Sequence, residues 1–426
     1  MRLKNIIIAG GFRFISSHAV WSRLTKQNKQ VLLLYISTLL GILMGVVSST
    51  INTHFMSPSD YGDVRYVQNI INLMATLLLF GYFLSGSRLL ALSNDEHKKR
   101  DIRGCMVIIL AFASGILLLG TFINYFIHTN NPKLAYLFLV SLPVCLNPLL
   151  GNYVTTTAQG DNHIGRLSIS TLVPSLLYIP IAYCIYNIYG ATSYRMILLQ
   201  WGIYSIVYLI VIKSTKPTFH NLNSTFKYLN IENKNYGIQL YYGSLVMVAT
   251  NYIAGITLGI FNDDNVNVGF YTLALTVTSP LSALPSIIGT IYFKQFTTQA
   301  KIPATVLKVT LLMTILSCIL FIIVIHPLVR FLFTDTYAMV GVYASWLAVG
   351  FCIHGLGDMI NKYLGSHGQG MQIRNSSIAC GIINVFGFTV FAYLWNIKGV
   401  LITNVVSSMV YCLFLLYYYS KFVKKV

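Results

Sequence analysis

The chain has 426 residues, 55% of them hydrophobic and 9% charged, with a mean hydropathy of +0.67 and a formal net charge of +18. Soluble domains are usually about 25% charged, so this composition excludes a soluble globular protein and defines a membrane protein. The basic excess does not indicate a nucleic-acid surface, because the Lys and Arg residues are scattered between apolar runs and are not gathered on one face or arm.

The first 29 residues carry six Lys/Arg and a short apolar patch, Ile6-Ile-Ile-Ala9, with no cleavage pattern after it. They read as a retained, basic cytoplasmic tail. A helix crossing about 30 Å of hydrocarbon needs roughly 20 mainly apolar residues. Runs of that kind fall at 31–52, 64–87, 104–127, 134–157, 167–188, 194–213, 238–260, 267–292, 305–329, 339–362, 373–395 and 397–420. These continuous runs exclude a barrel of short alternating strands, so the expected fold is an all-α polytopic membrane protein of about twelve transmembrane helices. The seven cysteines stand singly, most of them within these runs, and give neither a disulfide framework nor a metal-ligand spacing. No cofactor is implied.

With the N-terminus cytoplasmic, every Lys and Arg except Arg65, Lys133, Arg195, Arg330 and Lys398 falls on the cytoplasmic side. The positive-inside rule therefore sets both termini inside. The outer loops are short and leave no room for an external domain.

Two landmarks occur twice. Asp60-Tyr-Gly-Asp-Val-Arg-Tyr66 follows span 1, and Asn267-Val-Gly-Phe-Tyr-Thr-Leu273 follows span 7, which pairs Gly62 with Gly269. Ala158-Gln-Gly-Asp-Asn-His-Ile-Gly-Arg166 follows span 4, and Gly368-Gln-Gly-Met-Gln-Ile-Arg374 follows span 10, which pairs Gln159-Gly160 with Gln369-Gly370 at nearly the same offset. The chain thus reads as two six-helix bundles, 30–213 and 238–426, joined by a cytoplasmic linker over 214–237. An even number of spans per half relates the bundles by a pseudo-twofold axis along the membrane normal, an arrangement that places a substrate cavity between them. The glycine-rich stretch itself has neither the strand and Lys-Ser/Thr of a phosphate loop nor enough ligands beyond Asp161 and His163 for a metal. It reads as a cytoplasmic turn, with Gly160 and Gly165 permitting the reversal and Arg166 anchoring it.

Phe55-Met-Ser-Pro-Ser-Asp-Tyr-Gly62 resembles the "lgpeeyG" turn of polysaccharide and O-antigen flippases, within the multidrug/oligosaccharidyl-lipid/polysaccharide exporter superfamily. Three further stretches agree in position: Ser85-Gly-Ser-Arg-Leu-Leu-Ala-Leu92, Ala158-Gln-Gly160, and Gly269-Phe-Tyr-Thr-Leu-Ala-Leu275 running on to Leu284-Pro-Ser286. The resemblance covers most of residues 30–420. It departs at His54, where members often carry Arg or Lys. It implies translocation of an undecaprenyl-pyrophosphate-linked oligosaccharide from the cytoplasmic to the periplasmic face of a bacterial inner membrane. It also implies a polysaccharide polymerase and chain-length machinery as partners.

Polar side chains on a spanning helix normally face a cavity or another helix. Arg65, Gln68, Asn69, Asn72 and Thr76 share one face of span 2 by their spacing. They are candidates to line a substrate cavity; alternatively, Arg65 reaches the outer headgroups and the amides bond to neighbouring helices. By the resemblance Arg88 matches an arginine of the family, and it is a candidate to meet a pyrophosphate or else a positive-inside anchor. Gln239, Ser244 and Asn251 in span 7 are further cavity candidates, with helix packing as the alternative. Tyr241 and Tyr242 are candidates to stack on sugars.

Span 10 places His354, Asp358 and Asn361 on one face. A carboxylate inside the bilayer costs about 2.5–3.5 kcal/mol on insertion scales. Asp358 is therefore a candidate to couple transport to a proton or sodium gradient, with His354 one turn away; the alternative is a local pair with Lys362.

A membrane polymerase or glycosyltransferase would gather carboxylates and arginines on a sizeable loop, and none of the loops is of that kind. A small-molecule or multidrug exporter of the same fold stays open. A major-facilitator transporter would carry a Gly-rich, Asp-Arg-containing loop after span 2, where this chain has Asn94-Asp-Glu-His-Lys-Lys-Arg100.

Overall fold

The computed structural model describes residues 26–161 and 163–424; the side chains of 26–36, 38, 39, 164, 243, 244, 246–249, 251 and 294 lie outside the description. The expected basic tail, apart from its last few backbone positions, also falls outside it.

The first half runs α1 (Lys26–Phe55), α2 (Pro58–Leu77), α3 (Tyr82–Leu92), α4 (Glu96–Ile127), α5 (Pro132–Ser141), α6 (Asn147–Gly160), α7 (Ile164–Tyr189) and α8 (Ser193–Ser214). After a short α9 (Leu222–Glu232) and a π-turn over Asn233–Gly237, the second half runs α10 (Ile238–Ile260), α11 (Val266–Thr278), α12 (Pro280–Phe296) and α13 (Ala304–Leu332). It continues with α14 (Met339–Ser366), α15 (Gly370–Phe386) and α16 (Ala392–Val423).

Eight described helices are long and apolar enough to cross a bilayer, and the bent pair α2/α3 makes a ninth. One of the eight, spanning 370–423, contains a π-turn at Gly387–Phe391 and non-helical backbone at Asn396, so it supplies two passes. With α1 and α10 the passes number twelve, matching the twelve apolar runs.

Local chemistry sets the ends. Outer turns are closed by a capping side chain followed by proline, which needs no N–H partner at the first helical position. Ser57 accepts from the Asp60 amide before Pro58, and Asn131 accepts from the Leu134 amide before Pro132. Thr192 caps α8 in the same way through the Arg195 amide, without proline.

The second pass of the first half is sharply bent, whereas that of the second half runs as one span with only a local interruption. In the first half α2 and α3 meet at 59°, with Phe80 at φ 44° and Gly81 at φ 78°. In the second half α11 gives way to α12 at Ser279-Pro280, where proline removes a helical hydrogen bond. Pro174, Pro180 and Pro285 stay inside continuous helices.

The halves meet through α2, which packs on α10 and α11. At the centre of this contact are the two repeat glycines. A Cβ on Gly269 would lie 3.2 Å from the Gly62 Cα, and one on Gly62 would lie 1.9 Å from the Asn265 carbonyl oxygen. Residues equivalent under a twofold touch each other only near its axis, so this contact marks where the pseudo-twofold passes.

Candidate functional site

The outer side of the contact is sealed. Lys133 reaches both Asp60 (2.8 Å) and Asp63 (2.7 Å), and the Asn265 amide of the second half donates to Asp63 (2.9 Å). The Tyr337 hydroxyl donates to the Met56 carbonyl (2.9 Å), again across the halves. Asp63 is 5% exposed, so its charge depends on these partners.

Inward of this seal lies a cavity of about 250 Å³ at the α2/α3 break. Thr76, Gly81 and Phe83 supply one wall, Asn152 and Thr156 of α6 a second, and Tyr241 of α10 a third. The cavity therefore lies between the two halves; its lining is mostly apolar, from Leu79, Phe83, Leu84 and the rings of Tyr241 and Tyr252, with Thr76, Asn152 and Thr156 as its polar side chains, and among its described lining residues none is charged. The break itself is stabilised from across the interface. Carbonyls freed by the missing helical turn accept from the second half and the π-turn before it: Leu77 from the Tyr241 hydroxyl (2.8 Å), Phe80 from the Asn233 amide (3.0 Å). The Asn233 oxygen accepts from Ser85 (3.0 Å).

The polar stripe of span 2 divides around this cavity. Arg65 donates to Gln68 (2.8 Å) and to the Tyr61 hydroxyl (2.8 Å), and lies over the Tyr61 ring. It makes no ion pair among the described residues, and its Nε is buried without a partner. Gln68 passes the contact on to Gln200 of α8 (3.2 Å). Asn69 faces the second half, against Gly255 of α10, where a Cβ would lie 2.1 Å from its Nδ2. Asn72 is half-buried between them, and its carbonyl accepts from Thr76.

Arg88 stands at the inner rim, paired with Glu232 (2.6 Å) and over the Tyr236 ring. Its partner comes from α9, which the sequence reading left as featureless linker. Gln239 is exposed, Tyr241 lines the cavity and Tyr242 is exposed. The side chains of Asn251 and Ser244 lie outside the described residues. His54 hydrogen-bonds its own helix at the Thr50 carbonyl (2.9 Å).

In the second half the structure brings His354, Asp358 and Asn361 together around a residue the sequence reading did not name, Tyr411 of α16. Its hydroxyl donates to Asp358 (3.1 Å) and accepts from the Asn361 amide (2.8 Å), while the His354 ring stacks on it at 4.5 Å. Asp358 makes no ion pair with Lys362 among the described residues; Lys362 packs instead against Gly289 of α12.

The glycine-rich stretch requires a correction. Gly160 does not make the turn. It is the last residue of α6, and its missing Cβ lets the backbone lie against Ser87, whose carbonyl oxygen would be 2.4 Å from a Cβ. Asp161 is the residue that matters there. It takes both oxygens to Arg103 (2.8 Å each), with Arg166 at 3.3 Å, and the Arg103 and Asp161 side chains are each 4% exposed. Arg103 also donates to Glu96 (2.9 Å) and to the Thr215 carbonyl (3.1 Å), so one guanidinium ties together the inner ends of α4, α6 and α8. The sequence signal was an aspartate between two apolar spans and an arginine at the start of another; only the pairing was missing.

Two six-helix bundles about a membrane-normal axis with a cavity between them are an arrangement found among transporters built from parallel repeats. The chain belongs to the family described as polysaccharide biosynthesis protein, whose model matches residues 28–293. None of the curated proteins matches the sequence. Among solved structures the fold is similar to the lipid II flippase MurJ in its inward closed conformation, with a TM-score of 0.73 and 14% identity over 92% of this chain and 89% of that one. It is also similar to a multidrug resistance MATE family transporter of the MOP superfamily in the inward-facing conformation, with a TM-score of 0.66 and 16% identity over 93% and 99%. An outward-facing structure of a MATE family transporter aligns at a TM-score of 0.57 with 16% identity over 92% and 96%. The chain is a multi-pass membrane protein of a flippase and exporter fold.

Proposed function

We propose that the protein is a flippase that moves an undecaprenyl-pyrophosphate-linked oligosaccharide, an O-antigen or similar repeat unit, from the cytoplasmic to the periplasmic leaflet of a bacterial inner membrane by alternating access. The observation that carries this reading is the uncharged cavity, edged by Thr76, Asn152, Thr156 and the rings of Tyr241 and Tyr252, between the halves of a chain whose family is named for polysaccharide biosynthesis. Sugar hydroxyls need hydroxyl, amide and aromatic partners, and the cavity supplies them. Positive groups flank it along the axis of travel: Arg88 inward, on an exposed pair that an incoming pyrophosphate can exchange, and Arg65 outward, without a carboxylate.

The reading needs no chemical step in the protein, and its partners would be the lipid-linked glycan, a polymerase and the chain-length machinery. The His354–Asp358–Tyr411 cluster would couple transport to a proton or sodium gradient. Deletion should leave lipid-linked repeat units on the cytoplasmic leaflet and no surface polymer, read by leaflet-selective labelling of the glycan. Unpolymerised units found on the periplasmic leaflet would instead favour a polymerase. A small-molecule exporter is the second reading, favoured by the size of the cavity; deletion would then leave surface polymer intact.

A further inference from the structure

The outer half of the first bundle holds a group of polar side chains that the cavity does not use. Asn52 of α1 is fully buried, and its oxygen accepts from the hydroxyls of both Tyr178 and Tyr186 of α7, the second at 3.2 Å. Those two hydroxyls also lie 3.1 Å from each other. With the oxygen filled, the Asn52 amide nitrogen is left with no acceptor; Ser48, one turn earlier on the same face of α1, is 4% exposed and its hydroxyl has no partner either. Arg65 belongs to the same group. Through Gln68 it is joined to Gln200 of α8, whose neighbours Leu199 and Ile203 pack on Tyr178 and Tyr186, and its charge acts on both tyrosine hydroxyls.

This group is rich in donors and short of negative charge. The helices that supply it, α1, α7 and α8, contain no Asp or Glu at all. The two carboxylates of α2, Asp60 and Asp63, are both held by Lys133. Arg65 therefore makes no ion pair among the described residues, and what it meets is neutral: the Gln68 oxygen, the Tyr61 hydroxyl and the Tyr61 ring. Its Nε–H is sealed from solvent without an acceptor. Buried polar groups are nearly always bonded, so unpartnered groups on Arg65, Asn52 and Ser48 in one charged cluster mark the place of an absent acceptor.

We propose that the absent acceptor is a carboxylate of the transported glycan, so that the substrate is an acidic oligosaccharide carrying a uronic acid or another carboxylated sugar, and Arg65 selects it. The inference rests on the flippase reading above and names its substrate class. A guanidinium takes a carboxylate through two parallel bonds, and the hydroxyls of the same sugar ring offer acceptors to the Asn52 amide and partners to Ser48. The pyrophosphate is excluded by position. Arg65 stands twelve residues before the end of α2, about 18 Å from the bend at 1.5 Å per residue, whereas Arg88 lies on the other limb beyond it. With the pyrophosphate paired to Arg88, whatever reaches Arg65 belongs to a sugar farther along the head. The polar stripe Thr76, Asn72, Gln68 leads there from the cavity wall.

The test uses the full-length protein in nanodiscs and two synthetic probes that differ at a single carbon. One is undecaprenyl pyrophosphate bearing a disaccharide that ends in glucuronic acid; the other is the same lipid ending in glucose. Wild type should bind the acidic probe at least about tenfold more tightly than the neutral one. Arg65→Gln should bring that ratio to one, and Arg65→Lys, which keeps the charge but not the paired donors, should retain part of it. The ratio is the readout because a folding defect weakens both probes alike. Should Arg65→Gln fail to fold, Asn52→Asp places a resident carboxylate in the site and should remove the preference with Arg65 still present. Equal affinities in wild type would overturn the proposal. So would a ratio that survives Arg65→Gln, including an equal loss for both probes, which would assign Arg65 to the shared pyrophosphate. Failure of wild type to bind either probe would overturn the flippase reading, and the acidic substrate with it.

Discussion

Arg103 and Asp161 illustrate how a charge survives inside a mostly apolar chain. Both side chains are nearly sealed from solvent, and the guanidinium meets both carboxylate oxygens through Nη2 while Nη1 donates to Glu96 and to the Thr215 carbonyl. Removing Arg103 leaves Asp161 buried with only the longer Arg166 contact, and breaking a buried pair in this way typically costs up to about 3–5 kcal/mol. Arg103→Ala should accordingly lower the thermal unfolding temperature in detergent sharply. Arg166→Ala removes a longer and more exposed contact and should cost about 1 kcal/mol or less. Equal shifts for the two would contradict the assignment of Arg103 as the tie between α4, α6 and α8. Asp358 differs in kind, because its described partner is a hydroxyl and not a cation. In proteoliposomes, Asp358→Asn should abolish stimulation of flipping by whichever imposed gradient, proton or sodium, drives the wild type, and should leave lipid binding intact. Stimulation that persists in the variant would remove Asp358 from the coupling step.

At the scale of the helices, the broken second pass determines where polar backbone is exposed within the membrane. An unbroken helix hides its carbonyls, whereas the break at Leu78–Gly81 frees several and obliges other elements to bond them. That is why α9, the π-turn and α10 gather at this point. The second half has only a shallow interruption at Ser279-Pro280, within a pass that otherwise runs on as one span. The first break carried only a glycine after a run of leucines, a pattern that also suits a continuous helix. The start of α2 is constrained in the opposite sense, by contact too close for a side chain. Gly62→Val would place a Cβ 1.9 Å from the Asn265 oxygen and hold the outer ends of α2 and α11 apart. On a cysteine-free background, Met56→Cys, buried in the seal, should become several-fold more reactive toward a membrane-impermeant maleimide when Gly62→Val is added, and flipping should fall. Unchanged labelling would mean that the outer contact does not act as a gate.

For the whole molecule, alternating access requires that contacts on one side be exchangeable for contacts on the other. The outer side is joined across the halves by Asp63–Asn265, Tyr337–Met56 and the packed glycines. On the inner side the bonds across the interface cluster at the break, through Tyr241 and Asn233. Both sets involve α2 and α3, so the bent second pass is the natural lever between them. Its outer limb carries Asp63, its inner limb carries Ser85 and Arg88, and the cavity lies at the bend.

Much of this was legible in the residues. Hydropathy runs mark the passes because a bilayer demands about twenty apolar residues in register, and the Lys/Arg bias gives orientation because charge resists transfer. The duplicated Gly62 and Gly269 disclosed the two halves because the same packing constraint recurs wherever the axis places equivalent helices together. The candidate stripe on α2 was visible by helical spacing, but spacing cannot say which neighbour each side chain meets: Gln68 turns into the first bundle and Asn69 toward the second. Tyr411 beside Asp358, Asp161 beside Arg103 and Asn233 beside Phe80 are pairings between residues dozens or more positions apart. Helix, side and repeat are periodic or compositional properties that a chain carries locally. Partnership between distant polar groups depends on how the helices pack, and only the tertiary structure decided it.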